Sequence, residues 1–206
     1  MDTLHFFTKE SQLSLRVTKT NKLQFCYLGQ RLSTPDDALI SPSVEWPLYA
    51  TDFDSRGQWG NHSGEYALHL RYGDGTQGCD LQYLHHEASE NGARFILADP
   101  LHPDVQVELN LAVYAEEDTY VLTPRIINNS NKPILLLQAD SAAIPCYSDT
   151  YHLSTFRGGW SGENYMQQEA ISRGNTLSVG STTGIKTAQE GTPGFLLSPG
   201  GSAQEV

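Results

Sequence analysis

Apolar and polar positions alternate with a period of two along most of this chain. Leu13, Leu15 and Val17 are separated by Ser14 and Arg16, Asn21 sits in a turn, and Leu23 to Leu28 read as the return strand. From Tyr66 to Tyr72, Leu68, Leu70 and Tyr72 alternate with Ala67, His69 and Arg71, and Gly73-Asp74-Gly75 predicts a hairpin into Leu81 to Leu84. Val105, Val107, Leu109, Leu111 and Val113 give the clearest alternation. Glu116-Glu117-Asp118 then turns the chain into Tyr120 to Ile127. Asn128 to Pro133 reads as a loop and Ile134 to Leu137 as another strand. In the last quarter, Tyr151 to Phe156 alternates, Gly158-Gly159 signals a turn, and Tyr165 to Ile171 extends again. Ser172 to Asn175 turns the chain into Thr176 to Val179, and Phe195 to Leu197 is a final apolar run.

No window of a dozen residues carries helical spacing, and Asp140 to Ile144 predicts at most one turn of helix. Roughly ten to fourteen short strands with polar turns predict an all-β fold: a large two-sheet antiparallel β-sandwich, a supersandwich, with little or no helix. The 206 residues suit one sandwich domain over 1–206 and can bury a substantial core.

Charge narrows the partners. Thirteen basic residues against 24 acidic ones give a net charge of −11, which disfavours nucleic acid, because phosphate neutralisation needs clustered Lys and Arg. No apolar run approaches the length of a membrane-spanning helix, so no membrane partner is expected. The start, Met1 to His5, lacks a basic region followed by an apolar one, which fits a cytoplasmic chain, or a periplasmic one whose signal has been removed. The three cysteines, Cys26, Cys79 and Cys146, are an odd number set far apart and form no C-x-x-C pair, so buried thiols are expected in place of a disulfide framework or a metal site.

Several segments, in order, resemble the N-terminal β-domain of family-36 glycoside hydrolases, the large α-galactosidases. Leu23 to Leu32 matches an L-x-x-x-Y-x-G-x-x-L close to the opening strands, and Glu45 to Phe53 is similar to E-Y-P-x-Y-G-x-x-D-F. Gly75 with Asp80-Leu81-Gln82-Tyr83 resembles a D-G … D-L-x-Y hairpin, and Ile126-Ile127-Asn128-Asn129 a strand ending in an Asn turn. Gly158-Gly159-Trp160-Ser161-Gly162-Glu163 resembles the family's G-x-W-x-x-E turn, and Ser181-Thr182-Thr183-Gly184 its S-x-x-G segment. Two departures stand out. Ala50 occupies a position where the family usually has Gly, and Ser33 to Val44 is shorter than a loop that in better-known members reaches towards a neighbouring subunit's active site.

The resemblance implies a domain whose catalytic carboxylates lie elsewhere, in a (β/α)8 barrel that needs roughly 250 residues of its own. On this reading the chain is cut from a longer protein, carries no catalytic residue and needs no cofactor or metal. Its partners are its own catalytic barrel, a homo-oligomer, and a galactoside substrate reached through the parent enzyme.

Individual side chains carry weaker signals. Asp52 and Phe53 are candidates for the edge of a sugar pocket, and Trp160, Trp46 and Trp59 for stacking on sugar faces, against the plainer roles of a turn-stabilising Asp and buried tryptophans. Glu163 beside Trp160 mimics a catalytic acid but suits a turn carboxylate. His85-His86-Glu87 with His102 suggests a metal, yet neighbours on a strand face opposite sides and cannot chelate together. Ser154, Ser161 and Ser181 lack a nucleophile-elbow context. Two other functions compete with the scaffold reading: a free-standing carbohydrate-binding module, and a self-contained sandwich enzyme of epimerase or mutarotase type with a His/Glu pair.

Overall fold

The computed structural model describes residues 3–35, 46–51, 66–142, 144, 150–159, 161–172, 176–180, 191 and 194–199. These form two compact units, Met1–Pro145 and Cys146–Val206. The fold is all-β as expected. The described residues contain thirteen strands, and every pair of neighbouring strands is antiparallel.

The first unit is a sandwich. One sheet orders β1 (Thr3–Phe7), β2 (Ser11–Val17), β3 (Leu23–Gln30) and β4 (Trp46–Pro47). The other orders β6 (Gln82–Ser89), β7 (Gly92–Asp99), β8 (His102–Tyr114) and β9 (Thr119–Asn128). Leu13, Leu15 and Phe25 from the first join Phe95, Val107 and Leu109 from the second in one buried cluster. Phe6 meets Phe95 edge-on across the layers, with centroids 6.3 Å apart. A separate ladder pairs β5 (Leu68–Arg71) with β10 (Leu135–Ala139), and Leu68 and Leu70 point into the same core.

The polar side of β2 is not solvated, contrary to its half-buried pattern. Gln12 and Ser14 are fully buried. Gln12 Nε2 donates to Ser14 Oγ at 2.8 Å and to the Pro35 carbonyl at 3.1 Å, and its Oε1 accepts from Leu32 N at 3.3 Å. The chain leaving β3 thus folds back over this face, held by one amide whose donors and acceptor are spent. The β2–β3 register shifts between Ser14 and Leu15 because Cys26 is an extra residue in the ladder.

The second unit is a three-stranded sheet in the order β12 (Gly162–Ala170), β11 (Tyr151–Gly159), β13 (Phe195–Pro199).

Three local expectations need correction, and one strand was not expected. Gly73-Asp74-Gly75 does turn, with Gly75 at φ 91°, but it does not pair β5 with β6. After the turn, Cys79 and Leu81 dive into the core, and Thr51 Oγ1 donates to the Cys79 carbonyl at 2.5 Å, so the ladder cannot continue. Gly158 and Gly159 lie within β11; the turn comes one step later, where Gly159 pairs with Gly162 and Ser161 takes φ 68°. Thr176 to Val179 joins no strand of the described ladder. Strand β7 had no counterpart in the sequence pattern.

Candidate functional site

In the first unit three connections converge on a cleft of about 210 Å³. The β5–β6 connection supplies Tyr72 and Asp74, the start of β8 beside its turn from β7 supplies His102 and Asp104, and the β9–β10 loop supplies Asn131 and Lys132.

Each connection is built by local chemistry. In the first, Tyr72 N donates to the Thr76 carbonyl and Gly75 N to the Tyr72 carbonyl, both at 2.9 Å. The Asp74 carboxylate accepts from Thr76 N at 2.9 Å, an Asx-type turn. In the second, Asp99 pairs with His102 across Pro100-Leu101, and Asp99 Oδ1 accepts from Leu101 N at 2.9 Å. In the third, Asn128 Oδ1 accepts from Ser130 N at 3.1 Å while its Nδ2 donates to the Lys132 carbonyl at 2.8 Å.

Two contacts hold the connections together. A Cβ on Gly73 would stand 2.5 Å from Lys132 Cβ and 2.7 Å from the Pro133 carbonyl oxygen, so the β9–β10 loop closes down on a residue that must lack a side chain. The Tyr72 and His102 rings stack with centroids 3.6 Å apart and planes 17° from parallel. The buried Tyr72 hydroxyl lies 3.2 Å from both Asp99 Oδ2 and Cys79 Sγ, and Asp99 Oδ2 also accepts from Asp80 N at 3.1 Å. Burial, reinforced by the Cys79 contact, pushes the Tyr72 phenol far above its ordinary value. The Asp74 carboxyl is held below its ordinary value, first by the Thr76 backbone N–H and further by His102 and Lys132.

The residues lining the cleft therefore bring two carboxylates, an ammonium, an amide and an imidazole together beside the apolar Leu101, Pro103, Val105 and Ile134. Such a lining suits hydrogen bonding to a ligand. No nucleophile is hydrogen-bonded to a base within it among the described residues.

Asp52, Phe53, Trp160, Trp59, Ser181 and Cys146 lie outside the described residues. Trp46 and Glu163 lie in β4 and β12, with their side chains outside that description. His85 and His86 do face opposite sides of β6: His85 is exposed, whereas the half-buried His86 Nδ1 lies 2.7 Å from the Tyr83 hydroxyl. Glu87 is engaged by Arg94 at 2.7 Å, and His102 stands apart at the cleft. No cluster of three or more His, Cys, Asp or Glu among the described residues has metal-binding geometry. Ser154 is buried and accepts from Gln168 Nε2 at 3.3 Å, and Ser161 serves its turn through its backbone. Cys26 and Cys79 are buried.

Sequence reasoning missed the cleft. Two signals for it were present: the Asp99-Pro100 pair, a turn opener, and the glycines flanking Asp74.

The family model described as "Glycosyl hydrolase family 36 N-terminal domain" matches residues 21–205, running through the boundary between the two units. No curated protein matches the chain. Among solved structures, it is similar to the galactosidase domain of the alpha-galactosidase-sucrose kinase AgaSK, with a TM-score of 0.70, 16% identity, and coverage of 84% of this chain and 28% of that one. It is similar to the alpha-galactosidase AgaB from Geobacillus stearothermophilus, with a TM-score of 0.67, 15% identity, and coverage of 84% and 28%. For the alpha-galactosidase from Lactobacillus brevis the TM-score is 0.67 and the identity 15%, with coverage of 82% and 27%. At these identities the likeness shows a shared fold. The chain spans less than a third of the length of each of these structures.

Proposed function

The chain belongs to the family of N-terminal domains of family-36 glycosyl hydrolases, and from that membership we propose that it is the non-catalytic β-domain of an α-galactosidase-like enzyme. In this role it packs on a separate catalytic barrel and shapes that barrel's site or the enzyme's oligomer. The observation that carries the proposal is the apolar surface of the second unit. Tyr165 is 67% exposed, Phe195 and Leu196 57%, and Met166 51%. Register places Phe195 beside Thr155 on one face of the sheet and Leu196 beside Ser154 on the other, so both faces present large apolar side chains. Single exposed apolar residues are ordinary, but a cluster on one small sheet marks a surface that another body covers. In the first unit, Leu135, Leu136 and Leu137 are exposed in succession on and beside the start of β10. The relatives' extra length and their alpha-galactosidase activity supply the kind of body: a domain bearing the two carboxylates that retaining hydrolysis needs about 5–5.5 Å apart.

The test compares turnover of 4-nitrophenyl α-galactoside by the 206-residue chain with turnover by the same residues joined to a family-36 catalytic barrel. The chain alone is expected to give no detectable product and the joined form to be active. Hydrolysis by the chain alone overturns the proposal.

A further inference from the structure

Elsewhere in the first unit several described charged side chains are spent on partners. Lys22 reaches Asp80 at 2.5 Å, Arg94 reaches Glu87 at 2.7 Å, Arg94 and Arg125 both reach Glu108 at 3.5 Å, and Asp118 accepts from Ser11 Oγ at 2.6 Å. Among the described residues, Lys132 Nζ, the Asp104 carboxylate and the Asn131 amide make no side-chain hydrogen bond or ion pair, and Asp74 uses one oxygen on its own turn. Their unspent capacity converges on one concavity.

The character of that lining selects a ligand class. Two carboxylates stand against one ammonium, so an anion meets net repulsion. A metal ion lacks a cluster of ligands among the described residues. An apolar molecule would strand polar groups away from water. A neutral polyhydroxyl compound has none of these faults, because each hydroxyl both donates and accepts. The cleft also offers a flat surface. His102 lines it with one ring face covered by Tyr72, which leaves the imidazole to meet the C–H face of a sugar ring. The Tyr72 hydroxyl is held at Asp99 and the β9–β10 loop is seated on Gly73, so the site is formed before any ligand arrives. Its size, about 210 Å³, falls below the roughly 300–1,000 Å³ of drug-sized pockets and fits a single ring.

We propose that this cleft binds one neutral pyranose, with His102 as the stacking surface and Asp74, Asp104 and Lys132 as hydroxyl partners. All of these groups come from this chain, so binding does not depend on whether a barrel performs hydrolysis. A chain without turnover can still bind sugar.

The test is an amide NMR titration of the ¹⁵N-labelled chain at pH 7 with methyl α-galactopyranoside and, separately, methyl α-glucopyranoside. Saturable shifts are expected for at least one sugar at Gly73 to Gly75, Leu101 to Asp104 and Ser130 to Lys132, with half-saturation at a few millimolar, on the order of that for weak single-ring ligands. Lys132→Ala, on an exposed loop where folding is not at stake, should weaken binding about tenfold by removing a charged hydrogen bond. His102→Ala should weaken it at least as much. The proposal fails if neither sugar gives saturable shifts up to about 50 mM, if the shifts map away from the three connections, or if both variants bind as the parent does. It also fails if inorganic phosphate saturates the same amides at lower concentration than either sugar.

Discussion

Asp99 should be the most costly carboxylate to remove from the first unit. It is 1% exposed and accepts three hydrogen bonds: from Leu101 N at 2.9 Å, Asp80 N at 3.1 Å and the Tyr72 hydroxyl at 3.2 Å. Asp99→Ala strands all three donors. A donor left unsatisfied in the interior costs about 1–3 kcal/mol. Two considerations lower the sum. Leu101 stands at the surface, 81% exposed, so water reaches its N–H easily, and the Tyr72 hydroxyl can turn to Cys79 Sγ, a weak acceptor at 3.2 Å. The expected loss is about 2–4 kcal/mol, which for a chain of this size lowers the melting temperature by roughly 5–15 °C. Urea unfolding at pH 7, followed by far-ultraviolet circular dichroism, measures it. Tyr72→Phe removes one donor together with its need for an acceptor and should cost about 1 kcal/mol. The double variant should then cost less than the sum of the two, by at least about 0.5 kcal/mol, because the residues share one bond. A loss below about 1 kcal/mol for Asp99→Ala, or strict additivity in the cycle, refutes the reasoning that Asp99 ties the cleft's connections to the core.

Gly92 has φ 138°, and a Cβ there would stand 1.9 Å from the Leu111 carbonyl oxygen. Gly92→Ala should therefore cost at least about 3 kcal/mol or abolish soluble expression, and a near-parental urea midpoint would show that the β7–β8 contact yields. Asp118 accepts from Ser11 and Thr8 hydroxyls, which hold its carboxyl below the ordinary 3.8. A lowered folded-state value means that this stabilisation is present above pH 3.8 and is lost as pH falls through the lower value. Asp118→Asn keeps a residue that tolerates the φ of 51° while removing the charge, so the stability gap between parent and variant should be constant near neutrality and shrink below about pH 4. A gap that widens in acid contradicts the assignment. Burial, then Asp140, pushes the Tyr49 phenol up to about 12, and Tyr72 is raised further still. Their protonated forms stabilise the fold fully below pH 10 and less as pH rises beyond it, so absorbance at 295 nm should show two of the ten tyrosines ionising only as the chain unfolds in alkali. Simple titration of all ten near pH 10 would place both rings in water.

The strands legible from sequence are those whose apolar and polar residue types alternate, whether the polar side is largely wet, as in β8, or buried, as in β2. In β8, Val105, Val107, Leu109 and Leu111 are buried while Gln106 and Asn110 between them are less so; Glu108, buried beside Arg94 and Arg125, breaks the pattern of exposure but not the alternation of residue types. Strand β7 escaped notice for the opposite reason. Ile96 and Ala98, on the side facing away from the core cluster, are as buried as Phe95 and Leu97 facing into it, so the run has no alternation to read. Pairing is legible only where a tight turn dictates it. β8 and β9 follow each other through Glu116-Glu117-Asp118 as expected. The partner of β5 is β10, distant in sequence, because the residues after its turn carry Cys79 and Leu81 inward. Nothing local to Gly73-Asp74-Gly75 encodes that choice.

The same division explains the cleft. Two of its three connections, at Gly73-Asp74-Gly75 and Asn128 to Pro133, read as a turn and a loop, the third carried only the unread Asp99-Pro100 pair, and His102 was readable as a histidine near others in sequence, which suggested a metal shared with His85 and His86. Strand geometry separates those two and sends His102 to the first position of β8, against Tyr72. What brings the connections together is the meeting of a two-strand ladder with a four-strand sheet, a property of strand order and not of any short motif. The ladder has an irregular register between Leu136 and Gln138, so Leu137 is the unpaired residue that sets how β10 continues from the loop seated on Gly73. Deleting Leu137 would leave every lining side chain in place in the sequence. It should straighten β10 into a regular ladder, with Gln138 still opposite His69 and Ala139 opposite Leu68, and so change the path by which β10 leaves the loop seated on Gly73. The cleft's chemistry is thus written in a handful of polar residues, while its shape is written in the apolar residues that fix which strand lies beside which.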